Sequence, residues 1–171
     1  MRRILLLTAL ALGLTMPTPG VAAPVAPNPP ATGRALLLVP LKLTKIDDLD
    51  FGTVVPSSLT GAVSINAATG ARTTIGGVTG LPSDIGRRGY FATAGSPNQL
   101  VIVNITQPLA LTSVAGDSIP VLALTMDGAN VRTIDPTTRN FFFGIGGIIL
   151  VGADQPEGTY TATFDVTASY L

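Results

Sequence analysis

Alternation of apolar and polar positions is the clearest signal in this chain, and it is strongest in Gly158-Thr-Tyr-Thr-Ala-Thr-Phe-Asp-Val-Thr-Ala-Ser-Tyr-Leu171. Tyr160, Ala162, Phe164, Val166, Ala168 and Tyr170 share one face. Thr161, Thr163, Asp165, Thr167 and Ser169 share the other. A strand sends successive side chains to opposite faces, so this spacing predicts one strand with an apolar face and a wet face. Threonine, valine and aromatics suit such a half-buried surface. The strand is expected to run to the C-terminus, so its outer edge faces either a gap or the first strand.

The same pattern recurs in shorter pieces. Ala35 to Ile46 reads as the first strand region, apolar on both faces up to Val39 and broken by Pro40, which points to an edge or a bulge. Asp47 to Gly52 reads as a turn with Leu49 and Phe51 pointing inward. Gly61 to Ile65 alternates, turns at Ala68-Thr-Gly70 and returns through Ala71 to Ile75 as a hairpin. Gly76 to Arg88 reads as loop. Tyr90 to Ala94 and Leu100 to Thr106 read as a strand pair around Gly95-Ser-Pro-Asn98. Pro120 to Met126 is a further strand. Asn140 to Gly152 is the most apolar segment; its glycines predict a hairpin or a bulge with a close backbone approach. No stretch beyond the leader described below has helical periodicity. Several short strands separated by turn residues predict an all-β antiparallel sandwich.

The N-terminus follows another pattern. Met1-Arg-Arg is followed by an apolar run from Ile4 to Leu14, two prolines and the small residues Gly20-Val21-Ala22. This is the make-up of a secretory leader, with cleavage expected after Ala22. The run is too short to span a bilayer, and the mature chain is expected to carry no transmembrane segment. Residues 1–22 are thus expected to be a signal peptide, 23–34 a Pro-rich extended tail, and 35–171 the sandwich domain.

Composition narrows the chemistry. The chain has 171 residues, with 12% charged and 46% hydrophobic. Without Arg2 and Arg3, eight cations stand against ten anions, so no basic surface supports nucleic-acid binding. The absence of histidine and cysteine removes thiol and imidazole catalysis, His/Cys metal sites and disulfides. Asp47, Asp48 and Asp50 are clustered acids without the remaining spacing of a calcium loop, and no nucleophile or base pairs with them. Gly144, Gly146 and Gly147 precede no Lys-Ser/Thr, so a phosphate loop is not indicated. Arg87-Arg88 beside Tyr90 is the best ligand-contact candidate; a solvated loop is the plainer reading. Neither catalytic residues, nor a metal, nor a cofactor are expected.

Two blocks together carry a resemblance: Leu41-Lys-Leu-Thr-Lys-Ile-Asp-Asp-Leu-Asp-Phe-Gly52 and the ending Gly158 to Tyr170. They resemble an uncharacterised domain family of secreted Gram-negative proteins, similar in turn to spore-coat-U-like proteins and chaperone–usher pilins. Such pilin subunits end in an alternating strand with a penultimate tyrosine and a glycine fourteen residues from the end, the places of Tyr170 and Gly158 here. The resemblance implies an immunoglobulin-like, pilin-like sandwich without its last strand. It implies a periplasmic chaperone, an outer-membrane usher and neighbouring subunits as partners, with a neighbour's N-terminal extension filling the gap. On this reading Gly158, Tyr160, Ala162, Phe164, Val166, Ala168 and Tyr170 are the strand-pairing residues, and Ala35, Leu37 and Val39 the donor segment. The chain departs from pilins in lacking their cysteine pair, and Ala23 to Arg34 lacks a donor strand's alternation. The functions to be weighed are a surface-fibre subunit of a Gram-negative bacterium, a monomeric secreted binding sandwich closed by its own Ala35 to Leu43, and, far behind, an enzyme.

Overall fold

The two longest strands run for twelve residues each. In a computed structural model, which describes residues 24–26 and 28–171, these are β2 (Val54–Ile65) and β9 (Asn140–Val151). Val63 and Ile65 of β2 and Phe143, Ile145, Ile149 and Val151 of β9 are buried on the inner face. The other strands are β1 (Lys42–Asp47), β3 (Arg72–Gly80), β4 (Gly89–Ala94), β5 (Leu100–Thr106), β6 (Ala110–Thr112), β7 (Ser118–Met126), β8 (Val131–Thr133) and β10 (Asp165–Tyr170). The chain divides at Leu36. The described residues before that point carry neither strand nor helix, and Leu37 to Leu171 form the folded unit. The expected leader, residues 1–22, lies outside the described residues. Among the described residues no helix is long and apolar enough to cross a membrane.

The strands make two antiparallel sheets, as the alternation predicted. The larger has the order β1-β4-β9-β2-β3, with β7 on β9 and β6 on β7. The smaller is β10-β5-β8. β9 organises the larger sheet: residues 140–145 pair with β4, 147–151 with β2 and 145–149 with β7. The expected hairpin over residues 61–75 is present, its turn held by the Asn66 carboxamide, which accepts from the N–H groups of Ala68 and Thr69 at 2.9 Å.

Several expectations are corrected. Tyr90 to Ala94 and Leu100 to Thr106 are both strands, but they lie in different sheets. Phe91 and Val101 face each other across the core, so Gly95 to Gln99 is a crossover between layers. Asn140 to Gly152 is not a hairpin: Asn140–Val151 is one strand, whose pairing with β7 shifts register between Val121 and Ala123, and the expected close backbone approach is present. Its glycines answer a crossing chain: a Cβ on Gly144 would strike the Ala67 carbonyl, and one on Gly146 the Ile65 carbonyl. The strand β3 continues to Gly80, where a loop was expected, because Val78 is buried against the core and pairs with Pro56. Ala35 to Leu41 is not strand. Pro40 has no N–H for a ladder, and the backbone of Val39 is held elsewhere, as described below.

The core falls into two clusters. One, made of Phe91, Val101, Val103, Ile134, Phe143 and Ile145, is sandwiched between the sheets, with Phe91 and Phe143 stacked at 5.3 Å. The other, Phe51, Val63, Ile65, Val78, Ile119, Val121, Ile149 and Val151, contains no residue of the smaller sheet. That asymmetry places the site.

Candidate functional site: a groove between two sheet edges

The smaller sheet leaves the second cluster without a facing layer, and a cavity of about 980 Å³ opens over it. Its walls include Phe51, Leu111, Ile119, Leu124, Ile149 and Tyr160. A second hollow of about 340 Å³ continues between β1 and β10, lined by Leu43 and Phe91 on one side and Phe164 and Val166 on the other. Asp48, Ala162 and Phe164 border both, so the two hollows form one groove.

Both flanking strands are sheet edges among the described residues. β1 pairs only with β4, and β10 only with β5. The N–H of Leu171 donates to the Leu100 carbonyl at 3.1 Å. Backbone groups alternate sides along an antiparallel strand, so Val166, Ala168 and Tyr170 turn theirs to the outer edge. The two edges differ in character. β1 carries Lys42, Lys45 and Asp47, and Lys45 pairs with Asp48 at 2.5 Å. Such charges discourage strand pairing. β10 carries only Asp165.

The expected terminal strand is shorter than its alternation. Ladder pairing starts at Asp165 opposite Thr106. Upstream the partner strand has ended and Pro108 follows, so Gly158 to Phe164 keep a single bridge, Thr161 to Thr112. The facial division nevertheless holds for all but one residue: Tyr160, Phe164, Val166, Ala168 and Tyr170 are half-buried, and Ala162 is exposed on the groove. Gly158 sits in the loop before it at φ +154°. The Tyr160 hydroxyl donates to the Pro156 carbonyl at 2.7 Å and accepts from Gln155 Nε2 at 3.0 Å, anchoring the groove wall.

The donor-segment residues are not brought into the groove as a strand. Ala35 carries no regular structure, and Leu37 and Val39 are 88% and 48% exposed. Val39 is clamped. Its N–H donates to Ser96 Oγ at 2.8 Å, and its carbonyl accepts from the Tyr170 hydroxyl at 2.8 Å. The Tyr170 hydroxyl in turn accepts from the Ser96 N–H at 2.7 Å. Nothing in the sequence signalled Ser96, which lies 57 residues from Val39 and 74 from Tyr170. The first strand, expected opposite the terminal strand's outer edge, is there as β1, across the smaller hollow.

The rim is acidic. Asp48, Asp50, Asp84 and Glu157 line the larger cavity with Arg87 as the one cation. Asp50 meets Arg87 at 3.8 Å. The Thr53 hydroxyl, 2.7 Å from Asp84, holds the Asp84 carboxyl below its ordinary value, with help from backbone N–H groups and Arg72. Among the described residues no group of three or more acids is arranged to hold a metal ion. Arg88 caps the carbonyls of Ala67 and Ala68 and lies 4.6 Å over the Tyr90 ring.

Residues 41–170 match the family model described as Domain of unknown function (DUF4402). The chain belongs to that family. It matches no curated protein and no solved structure. The span that matches the family takes in both walls of the groove and stops short of Ala35 to Val39.

Proposed function

We propose that this protein is an exported structural subunit of a surface fibre, similar to the chaperone–usher pilins and spore-coat-U-like proteins, and that it is assembled by strand addition. The observation that carries the reading is the groove itself: an apolar channel flanked by two sheet edges that do not pair with each other. A strand laid between β1 and β10 would satisfy the outward backbone groups of Val166, Ala168 and Tyr170 and cover the half-buried Leu43, Phe164 and Val166. The immunoglobulin-like topology of pilins is part of the same proposal. On this reading a periplasmic chaperone occupies the groove first, an outer-membrane usher directs exchange, and a neighbouring subunit replaces the chaperone. The place of work is the periplasm, cell surface or fimbrium of a Gram-negative bacterium, and no catalysis is involved.

Unheated SDS electrophoresis of the purified mature protein tests this. Strand-exchanged subunits run as a ladder that collapses to one band on boiling. A monomer at every concentration that unfolds reversibly overturns the proposal. A second reading, a monomeric adhesin-like binding sandwich, draws on one surface feature. Tyr90 and Phe142 stack at 5.8 Å on the outer face of the larger sheet, with Arg88 over Tyr90 and Phe142 48% exposed.

A further inference from the structure

The outer face of the larger sheet, away from the groove, carries a stack of side chains that stops short. Strand register sets its rows. Tyr90 lies opposite Gly144, Ala92 between Thr44 and Phe142, and Ala94 between Lys42 and Asn140. Alternation turns Tyr90, Ala92, Ala94, Asn140 and Phe142 to this face, while Phe91, Thr93 and Phe143 are buried on the other. The Arg88 guanidinium lies 4.6 Å from the Tyr90 ring centre, and the Phe142 ring stacks on Tyr90 at 5.8 Å and 13°. Row order puts Arg88 and Phe142 on opposite sides of Tyr90. Tyr90 thus covers one face of the Phe142 ring. Among the described residues no other ring or cation stacks on Phe142, which stays 48% exposed.

The next row is small and polar. Exposed Ala94 forms its floor, with Lys42 of β1 on one side, Asn140 of β9 on the other and Thr44 one row back. A row is two residues, about 7 Å along the strand, and the strands flanking β4 stand about 10 Å apart. A pyranose ring fits that slot. Charge is unbalanced there. The ion pairs among the described residues are Lys45–Asp48, Arg87–Asp50 and Arg132–Asp127, so Lys42 is left without one. The nearest acid by register, Asp47, lies opposite Tyr90, at the other end of the stack.

We propose that the slot over Ala94 binds a carboxylate-bearing sugar ring, a uronic or sialic acid residue of a glycan. The C–H face of the ring stacks on the open face of Phe142, the carboxylate meets the Lys42 ammonium, and the hydroxyls bond to the Asn140 carboxamide and the Thr44 hydroxyl. A neutral sugar leaves Lys42 without a partner. A flat aromatic acid has no hydroxyls for Asn140 and Thr44. The inference rests on the binding reading and gives it a ligand class. Strand addition neither fills nor requires this face.

Isothermal titration of the full mature chain with a galacturonate trimer, sialyllactose and lactose tests the inference. The wild type is expected to bind an acidic probe about tenfold tighter than lactose, and the preferred probe identifies the source of the acid. Phe142→Ala and Lys42→Gln are each expected to weaken that binding about tenfold, and Lys42→Arg to retain it. Lys42→Gln is also expected to remove most of its salt dependence, a readout that a merely structural role would not move. If Phe142→Ala does not fold, Ala94→Leu replaces it: the larger side chain fills the slot from an exposed position and is expected to abolish binding. Acidic probes bound as tightly by Lys42→Gln and by the slot variant as by the wild type overturn this site and leave the binding reading standing. Lactose bound as tightly as the acidic probes overturns the carboxylate assignment. A wild type that binds no probe overturns both the inference and the binding reading drawn from this face.

Discussion

Thr93 gives the sharpest test of the core. It is fully buried on β4, opposite Leu43 on one side and Phe141 on the other, and its Oγ1 has no hydrogen-bond partner among the described residues. A hydroxyl taken from water without a bond costs about 1–3 kcal/mol in proteins. Thr93→Val keeps the branched shape suited to a strand and replaces that hydroxyl by a methyl group. Stability should therefore rise by about 1–3 kcal/mol. At roughly 3 °C per kcal/mol for a chain of this size, the Tm rises by about 3–9 °C. Thr93→Ser keeps the hydroxyl and removes the methyl, leaving a small void that costs about 1 kcal/mol. Urea titrations of the three proteins, with equal m-values, read the differences directly. A Thr93→Val protein less stable than the wild type refutes the reasoning, since its hydroxyl must then have a partner.

Three further outcomes follow from single contacts. The Arg72 guanidinium donates to the carbonyls of Thr53 at 3.0 Å, Leu81 at 2.7 Å and Asp84 at 2.7 Å, so Arg72→Ala is expected to cost about 2–3 kcal/mol. Amide exchange should accelerate first in residues 50–54 and 81–86. Gly146→Ala drives a methyl group into the Ile65 carbonyl and the Ala67 backbone, and a loss of about 3 kcal/mol is expected in thermal unfolding. Asp135 accepts from the N–H groups of Thr138 and Thr137, which hold its carboxyl below the ordinary value of 3.8. Because its folded value is the lower one, its stabilising contribution is present above pH 3.8 and is lost as pH falls through the folded value. Asp135→Asn should therefore flatten the acid limb of the stability profile, and an unchanged limb contradicts the assignment.

Local patterns were legible in the sequence, and long-range ones were not. The alternation of Phe164, Val166, Ala168 and Tyr170 named the buried face of β10, because period two is a local property of the backbone. Asn66 to Gly70 named its own turn for the same reason. Leu49 and Phe51 face inward as expected, since burial of large apolar residues needs no knowledge of partners. The sheet assignment of β4 and β5 was missed because both strands have inward apolar residues and a short turn-like link. Only the distant β9 and β10 decide which sheet each joins. The glycines of β9 announced a close backbone approach but not what approaches, because the chain that crosses them, Ile65 to Ala67, lies far upstream. The groove was half legible: the β10 wall and the first strand opposite it were read, but β1 starts only at Lys42, after Pro40, and the larger hollow, which depends on distant elements such as Leu111, Ile119 and Ile149, was not.

The energetics explain why an open groove of this kind bears on folding as well as assembly. Leu49, Val54, Leu111, Leu124 and Tyr160 pack on the second cluster and stay partly exposed. Each forfeits the dispersion contacts that a facing layer supplies. Burying one leucine-sized side chain contributes about 1.5–3 kcal/mol. Two such side chains from an added strand would contribute about 3–6 kcal/mol before backbone bonds are counted. A domain of this size is stable by only about 5–15 kcal/mol in total. The added strand is therefore comparable in weight to the fold it completes.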